Sequence, residues 1–203
     1  LHAFDYNKIK DKKIIVRRAK KNEKLITLDD EARDLKNDML IIADADSPIA
    51  LAGIKGGKES GIQNKTSTIV LESACFEGGN NRKTANHFDL KSQATLRFEK
   101  NLKPELCDIA FNRAINLILQ ICGGSISSNV IDIGLKEELK VIDISLDKIN
   151  SVLGFAFNEK NIDEIFKKLN FDFDKKNKDK LIWSVTSPFW RPDINIPEDL
   201  IEE

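Results

Sequence analysis

Residues 49–100 place a cluster of glycines directly before an apolar strand that ends in a lone acid. The run Thr68-Ile69-Val70-Leu71 is followed at once by Glu72, and the glycines that precede it are Gly53, Gly56, Gly57 and Gly61. Glycine lets backbone N–H groups approach a ligand closely, and a carboxylate on an apolar strand is costly to bury without a partner. This stretch predicts a small-molecule pocket, and the alternative is an exposed glutamate at a strand end.

The glycine cluster does not match the common nucleotide-binding loops. A P-loop requires a hydroxyl residue after its Gly-Lys pair, but Glu59 follows Gly57-Lys58. The glycine spacing also gives no GxGxxG leading into a helix. We therefore interpret the segment as a turn that presents backbone amides to a ligand.

Composition excludes several classes of protein. The 203 residues suit one large or two small domains, and 32 basic against 33 acidic side chains leave a net charge of −1, so any contact with nucleic acid must be local. The three cysteines are widely spaced without a CxxC pair, and the chain has two histidines, which argues against disulfides or zinc and for a reducing cytoplasm. No apolar run reaches the ~20 residues of a membrane helix. We expect a cytoplasmic protein with no membrane contact.

The start of the chain carries neither a basic segment nor an apolar segment of the kind that forms a signal peptide. It also lacks an initiator methionine. We therefore expect the chain to be a piece of a longer protein.

Short apolar runs dominate the first third of the chain. Residues 13–18 and 24–28 read as strands around a charged turn, which predicts a hairpin, and residues 39–43 and 49–54 read as further strands. Such a series is typical of an antiparallel or barrel-like sheet. Residues 79–87 are a short helix or a loop. The clearest helix covers residues 104–122, and we expect it to be core scaffold because these apolar residues share one face: Leu106, Ile109, Ala110, Ala114, Leu117, Ile118 and Ile121.

A change in composition near Glu138 predicts a domain boundary, with domains at 1–138 and 139–203. Beyond it, residues 141–146 read as a strand, and residues 146–153 and 159–169 as two helices, the first closed by Gly154 and the second capped by Asn158. Residues 171–173 and 181–185 then flank the lysine-rich turn 175–180 as a hairpin. The sequence predicts an α+β protein whose second domain is small and winged-helix-like.

Several long segments together resemble one known family. They are HAFD (2–5), ALAGIKGGKESGI (50–62), VLESACF (70–76), SQATLRFEKNLKPEL (92–106), ICGG (121–124), SLDKINSVLGF (145–155) and SPFWRPDINIPEDLIEE (187–203). In this order they resemble the beta subunit of bacterial phenylalanine–tRNA ligase, first its editing module and then the small helical module that follows. The resemblance covers essentially the whole chain, which makes it more specific than any short motif.

This resemblance implies hydrolytic editing of tyrosine wrongly attached to tRNA(Phe). A pocket that hydrogen-bonds the phenolic hydroxyl rejects phenylalanine strongly, because a buried polar group would otherwise stay unpaired. By similarity, Glu72 reads that hydroxyl, Gly56 leaves room for the amino acid and Ala94 sets the size of the pocket. His2 orients the ester or the attacking water, and Ser92 keeps a hydroxyl for hydrogen bonding. The family usually has an acid just before the small residue, where this chain has Gln93.

Two other functions compete with this one. The chain could act as a free-standing hydrolase of misacylated tRNA, or as a non-catalytic module that contacts RNA or partner subunits. Under the preferred interpretation, the parent enzyme attaches phenylalanine to tRNA(Phe) with ATP and works as an alpha2beta2 assembly with an alpha subunit. That chemistry resides on the alpha subunit, so we expect the isolated chain neither to bind ATP nor to charge tRNA.

The last motif implies a magnesium site shared with the alpha subunit. Its ligands by similarity form what we call the acidic set: Asp193, Asp199, Glu202 and Glu203. The last three lie at i, i+3 and i+4 on one face of a helix starting near Pro197, and carboxylate oxygens suit magnesium. The alternative is an ordinary acidic first turn, which the helix dipole favours.

Overall fold

The apolar run at residues 39–43 becomes the centre of the fold in the computed structural model, which describes residues 1–134, 139–177 and 181–203. The chain divides into two compact units, Leu1–Asn129 and Val130–Glu203. The strands and α-helices of the first unit are β1 (His2–Asp5), β2 (Ile15–Arg18), β3 (Lys24–Ile26), β4 (Ala32–Asp34), β5 (Leu40–Ala43), β6 (Pro48–Leu51), β7 (Lys55–Gly56), β8 (Ile69–Glu72), α1 (Gly78–His87), α2 (Gln93–Phe98) and α3 (Glu105–Cys122).

A four-stranded antiparallel sheet in the order β2-β5-β6-β7 organises this unit. Successive side chains of β5 point to opposite faces, so Ile42 joins one apolar cluster while Ile41 and Ala43 join another. Both faces of β5 are therefore covered, which explains why its sequence is a continuous apolar run and not an alternating one.

The predicted strands form, but two expectations about their pairing need correction. The hairpin expected between residues 13–18 and 24–28 is wrong, because β2 pairs with β5 and β3 pairs with β4. Strand β5 offers β2 four residues, three of them buried, whereas β3 has three residues, of which Leu25 alone is buried. Within the described residues the strands make separate antiparallel sheets and not a closed barrel. The α+β class is confirmed.

Helix α3 forms where the sequence predicts it, but it is not core scaffold. None of its residues is fully buried. Ile109 and Ile121, both assigned to its apolar face, are 57% and 77% exposed. The pattern predicted the helix correctly because it depends on local spacing, whereas burial depends on what packs against the helix. No helix in the described ranges has both the length and the apolarity that crossing a membrane requires.

The second unit contains the predicted elements: β9 (Val141–Ser145), α4 (Leu146–Leu153), α5 (Glu159–Lys168), β10 (Asp172–Asn177), β11 (Ile182–Thr186) and α6 (Pro197–Glu202). Asn158 caps α5 through a hydrogen bond from the backbone N–H of Asn161, and Gly154 ends α4 in the left-handed conformation. The strands pair antiparallel in the order β10-β11-β9 around the fully buried Trp183. The predicted boundary at Glu138 and the turn residues 178–180 lie outside the described residues.

Candidate active site

Strands β1 and β8 bring together two candidate residues that are far apart in sequence. They pair antiparallel with His2 directly opposite Glu72. Directly opposed residues in an antiparallel pair project from the same face of the sheet with neighbouring side chains. The register therefore sets an imidazole beside a carboxylate, each half-buried.

Gly56 provides the floor beneath the imidazole. A Cβ atom at this position would lie 2.6 Å from His2 Nε2, closer than real side-chain contacts allow. The ring itself is held edge-on against Phe4, with ring centroids 4.6 Å apart. The absence of a side chain at Gly56 therefore determines where the His2 ring lies.

Helix α2 supplies the opposite side of the site. The Ser92 hydroxyl accepts a hydrogen bond from the Thr95 backbone N–H at 3.1 Å, and the Thr95 hydroxyl accepts one from the Ser92 backbone N–H at 2.9 Å. This reciprocal pair starts the helix, and Ala94 lies in the first turn. This short helix was not predicted from sequence, although the spacing Ser92-x-x-Thr95 carries its start signal.

A cavity of about 390 Å³ joins these elements. All five candidate residues of the editing site line it, together with Gln93. Phe76 and Phe98 form an apolar wall, packed edge-to-face with ring centroids 5.2 Å apart. The remaining lining residues are Leu1, Leu28, Ile42, Ala50, Leu51, Ala52, Gly53, Ile54 and Lys55. The volume and the few polar groups are those of a pocket for a small organic ligand.

Two titratable groups in the cavity, His2 and Glu72, have pKa values shifted towards their neutral forms. Burial lowers the pKa of His2 and raises the pKa of Glu72, because a charged group loses hydration away from water. His2 Nε2 is buried and has no hydrogen-bond partner among the described residues. A neutral imidazole with an unoccupied nitrogen can accept a proton or hydrogen bond from a ligand or a water molecule.

A charged network at the rim of the cavity was not found from sequence. The carboxylate of Asp29 accepts hydrogen bonds from Lys55 Nζ at 2.7 Å, Arg33 Nη2 at 2.9 Å and the Thr27 hydroxyl at 2.5 Å. Hydrogen bonds from Lys55 and Thr27 hold the pKa of Asp29 well below its usual range. Thr27, Asp29 and Arg33 lie within seven residues of one another, but Lys55 joins them from a distant strand, so no local pattern signals the complete network.

The acidic set does not gather around a common point. Arg191 Nη2 donates to Asp193 at 2.6 Å and also to Glu203. Asp199 instead accepts from the backbone N–H groups of Asn195 and Ile196, at 2.7 and 3.0 Å, at the start of α6. Among the residues the structure describes, no group of three or more potential ligands is placed to hold a metal ion. A guanidinium cation occupies two of the four carboxylates, so this arrangement does not fit magnesium.

Comparison with known proteins agrees with this organisation. A family model described as "B3/4 domain" matches residues 1–123, which contain the whole cavity. The chain belongs to the B3/4 domain family. A second model, "tRNA synthetase B5 domain", matches residues 142–203 of the second unit. The family predicted from the sequence motifs is therefore confirmed.

Two similar proteins carry the same name. The phenylalanine–tRNA ligase beta subunit of Dehalococcoides mccartyi strain CBDB1 is 49% identical over 156 residues, 76% of this chain and 19% of the relative. That of Bacillus subtilis strain 168 is 40% identical over 204 residues, 100% of this chain and 25% of the relative. The chain thus spans a quarter or less of these relatives.

A solved structure, an N-terminal fragment of the Pyrococcus horikoshii phenylalanyl-tRNA synthetase beta subunit, matches at a TM-score of 0.49 and 16% identity. That match covers 99% of this chain and 57% of the fragment.

Proposed function

We propose that the first unit is a hydrolytic editing module that removes tyrosine from tRNA(Phe). The observation that carries this proposal is the single cavity lined by His2, Gly56, Glu72, Ser92 and Ala94. In the reaction, water attacks the ester carbonyl and the ribose hydroxyl leaves, which releases free tyrosine and uncharged tRNA. The cavity supplies an apolar wall for an aromatic ring and polar groups at defined positions.

Glu72 provides the selectivity. Its carboxyl group lies in a largely desolvated position, where a hydrogen bond to the tyrosine hydroxyl compensates for lost hydration. Phenylalanine lacks the hydroxyl and would leave this carboxyl group unpaired, which disfavours its binding. The discrimination therefore runs opposite to that of a pocket that selects phenylalanine by size.

His2 orients the ester or the attacking water. Its lowered pKa keeps the imidazole neutral at pH 7, and its partnerless Nε2 lies in contact distance of Gly56 on the cavity floor. Ser92 holds the first turn of α2, so its hydroxyl positions Ala94 as well as facing the cavity. Gln93 retains a hydrogen-bonding side chain at the position where the family usually has an acid.

The parent protein, by the same proposal, is the beta subunit of an alpha2beta2 phenylalanine–tRNA ligase in the cytoplasm. It joins phenylalanine to tRNA(Phe) with ATP bound by the alpha subunit. The second unit, with its three-stranded sheet and two consecutive helices, is a winged-helix-like module for RNA or subunit contacts. Magnesium is proposed for the parent enzyme alone, because the acidic set is engaged with Arg191 and the start of α6.

A deacylation time course tests the editing proposal. The parent enzyme carrying this chain is given preformed tyrosyl-tRNA(Phe), alongside a phenylalanine charging assay. Glu72→Ala should slow deacylation about tenfold to a hundredfold, the loss of one hydrogen bond to a charged or polar acceptor. Charging should stay near the wild-type rate.

Two results would reject the assignment. Unchanged deacylation by Glu72→Ala would remove Glu72 from the site. A wild-type enzyme that cannot deacylate tyrosyl-tRNA at all would exclude editing.

Glu72→Gln is the matched variant, because it preserves volume and hydrogen bonding and should keep more activity than Glu72→Ala.

A further inference from the structure

Lys55 is the only lysine or arginine among the residues that line the cavity, all of which the structure describes. It precedes Gly56 on β7, where it pairs across the strands with Leu51. Its side chain is 28% exposed, and its ammonium group bonds Asp29 at the solvent-exposed rim. Lys55 therefore links the cavity lining to Asp29, which is partly exposed and is not itself a lining residue.

The rim network carries an unbalanced positive charge. One carboxylate, that of Asp29, faces two cations, Lys55 at 2.7 Å and Arg33 at 2.9 Å. The Arg33 side chain is the more buried of the two cations, 12% exposed against 28% for Lys55. Arg33 is also held over the ring of Phe88, 5.4 Å from its centroid. Arg33 can thus keep Asp29 neutralised when Lys55 turns towards a ligand.

Folding stability does not account for two cations on the one carboxylate of Asp29. Partly exposed ion pairs contribute little to folding stability, and Asp29 still has Arg33 as a partner when Lys55 leaves it. What the surplus charge can do is bind an anion. In a cavity that holds an aminoacyl ester on the terminal ribose of an RNA, the group that arrives next at the opening is a phosphodiester.

We propose that Lys55 binds the phosphodiester adjacent to the terminal nucleotide of the aminoacylated RNA, and that Asp29 positions it. This inference rests on the editing function proposed above. Lys55 holds the ester in register with His2 and Glu72 by contacting a part of the substrate that does not react. The contact is independent of base identity, since a lysine reads a phosphate as a point charge.

Two substrates separate this role from a structural one. The parent enzyme is given tyrosyl-tRNA(Phe), which carries the phosphodiester, and the tyrosyl ester of adenosine, which has none. Lys55→Ala should raise the KM for tyrosyl-tRNA about tenfold, the effect of one charge-assisted hydrogen bond. It should affect hydrolysis of the adenosine ester far less, and Lys55→Arg should restore most of the loss.

Salt dependence supplies a second readout, and Lys58 a matched control. Removing one phosphate contact should reduce the slope of log(kcat/KM) against log salt by about 0.7 to 1. Lys58 lies three residues after Lys55 and pairs with Asp30, but it does not line the cavity. Lys58→Ala should therefore match the wild type in both readouts.

The outcomes are distinct. Equal losses on both substrates would show that Lys55 merely supports the fold of the site and would overturn the inference. Wild-type kinetics for Lys55→Ala on tyrosyl-tRNA would also overturn it while leaving the editing function intact. A wild-type enzyme that hydrolyses neither ester would reject the proposed function, and this inference with it.

Discussion

The cavity of the first unit and the acidic set of the second unit handle polar groups in opposite ways. In the cavity, His2 Nε2 is buried without a partner and the carboxyl group of Glu72 is raised in pKa by burial. In the acidic set, Arg191 lowers the pKa of both Asp193 and Glu203 through direct hydrogen bonds. One region leaves its polar groups ready for a ligand, and the other already satisfies them.

This difference separates a candidate binding site from a structural network. Leaving a buried polar group unpaired costs free energy, so it persists where a ligand completes the bonding. Perturbed pKa values alone do not make the distinction, since structural ion pairs shift them as well. The direction of the pKa shift does separate the two regions. Burial favours the neutral forms of His2 and Glu72, whereas pairing favours the charged forms of Asp193 and Glu203.

The largest effect is expected from filling the cavity. Ala94→Trp should abolish deacylation of tyrosyl-tRNA by the parent enzyme, because the indole occupies space that the amino acid needs. Charging of phenylalanine should persist. The control is Leu96→Trp on the same helix, at a position 45% exposed and outside the cavity lining, which should deacylate normally. Deacylation by Ala94→Trp at the wild-type rate would show that the cavity is not the editing site.

A single methyl group on the cavity floor should have the next largest effect. In Gly56→Ala the new Cβ would lie 2.6 Å from His2 Nε2, so the imidazole must move. Displacing an orienting group by about 1 Å can slow a reaction roughly a hundredfold. The expected result is slower deacylation at an unchanged melting temperature.

Gly134→Ala is the control for this substitution, since a Cβ there meets no atom within 4 Å. A drop in the melting temperature of Gly56→Ala that matches its lost activity would mean that Gly56 serves the fold and not the reaction.

Removing the cation that pairs with the acidic set should change folding stability and leave deacylation unchanged. Arg191→Met removes the cation shared by Asp193 and Glu203 and should lower the free energy of unfolding by about 1 kcal/mol, a partly screened ion-pair effect. Both carboxylates have lowered pKa values in the folded chain, so the wild type loses this stability as pH falls below about 4.5 towards those folded values.

Urea unfolding at several pH values checks this prediction. The free energy of unfolding of the variant should fall less steeply with decreasing pH than that of the wild type. A more stable variant that gains magnesium affinity would instead show that Arg191 blocks a metal site.

The smallest effect should come from His2 in the same unfolding experiment. Its pKa is lower in the folded chain than the ordinary 6.5, so below pH 6.5 the unfolded chain binds the proton more readily. Stability should therefore decline as pH falls from 6.5 towards the folded pKa. A paired histidine with a raised pKa would instead lose stability as pH rises. His2→Gln should remove that decline. An unchanged pH dependence would show that His2 is not buried in solution.

Local patterns in the sequence determined much of this protein. The continuous apolar run at residues 39–43 is typical of a buried strand, and Ile41 and Ile42 are both at most 2% exposed. Asn158 and Gly154 predicted where α5 starts and α4 ends. Such signals work because hydrogen bonds at helix ends and alternation along strands involve residues within a few positions of one another.

The sequence motifs also predicted the members of the candidate site, but not their arrangement. Tertiary structure alone set His2 opposite Glu72, since that register joins strands 70 residues apart, and it alone pressed the His2 ring against Gly56. It also decided that α3 forms without a fully buried residue. The i, i+3, i+4 spacing of Asp199, Glu202 and Glu203 predicted a shared face, yet Arg191 decided which carboxylates meet. Residue spacing determines which face of a helix or strand a side chain occupies. Contacts between elements depend on packing that no local pattern encodes.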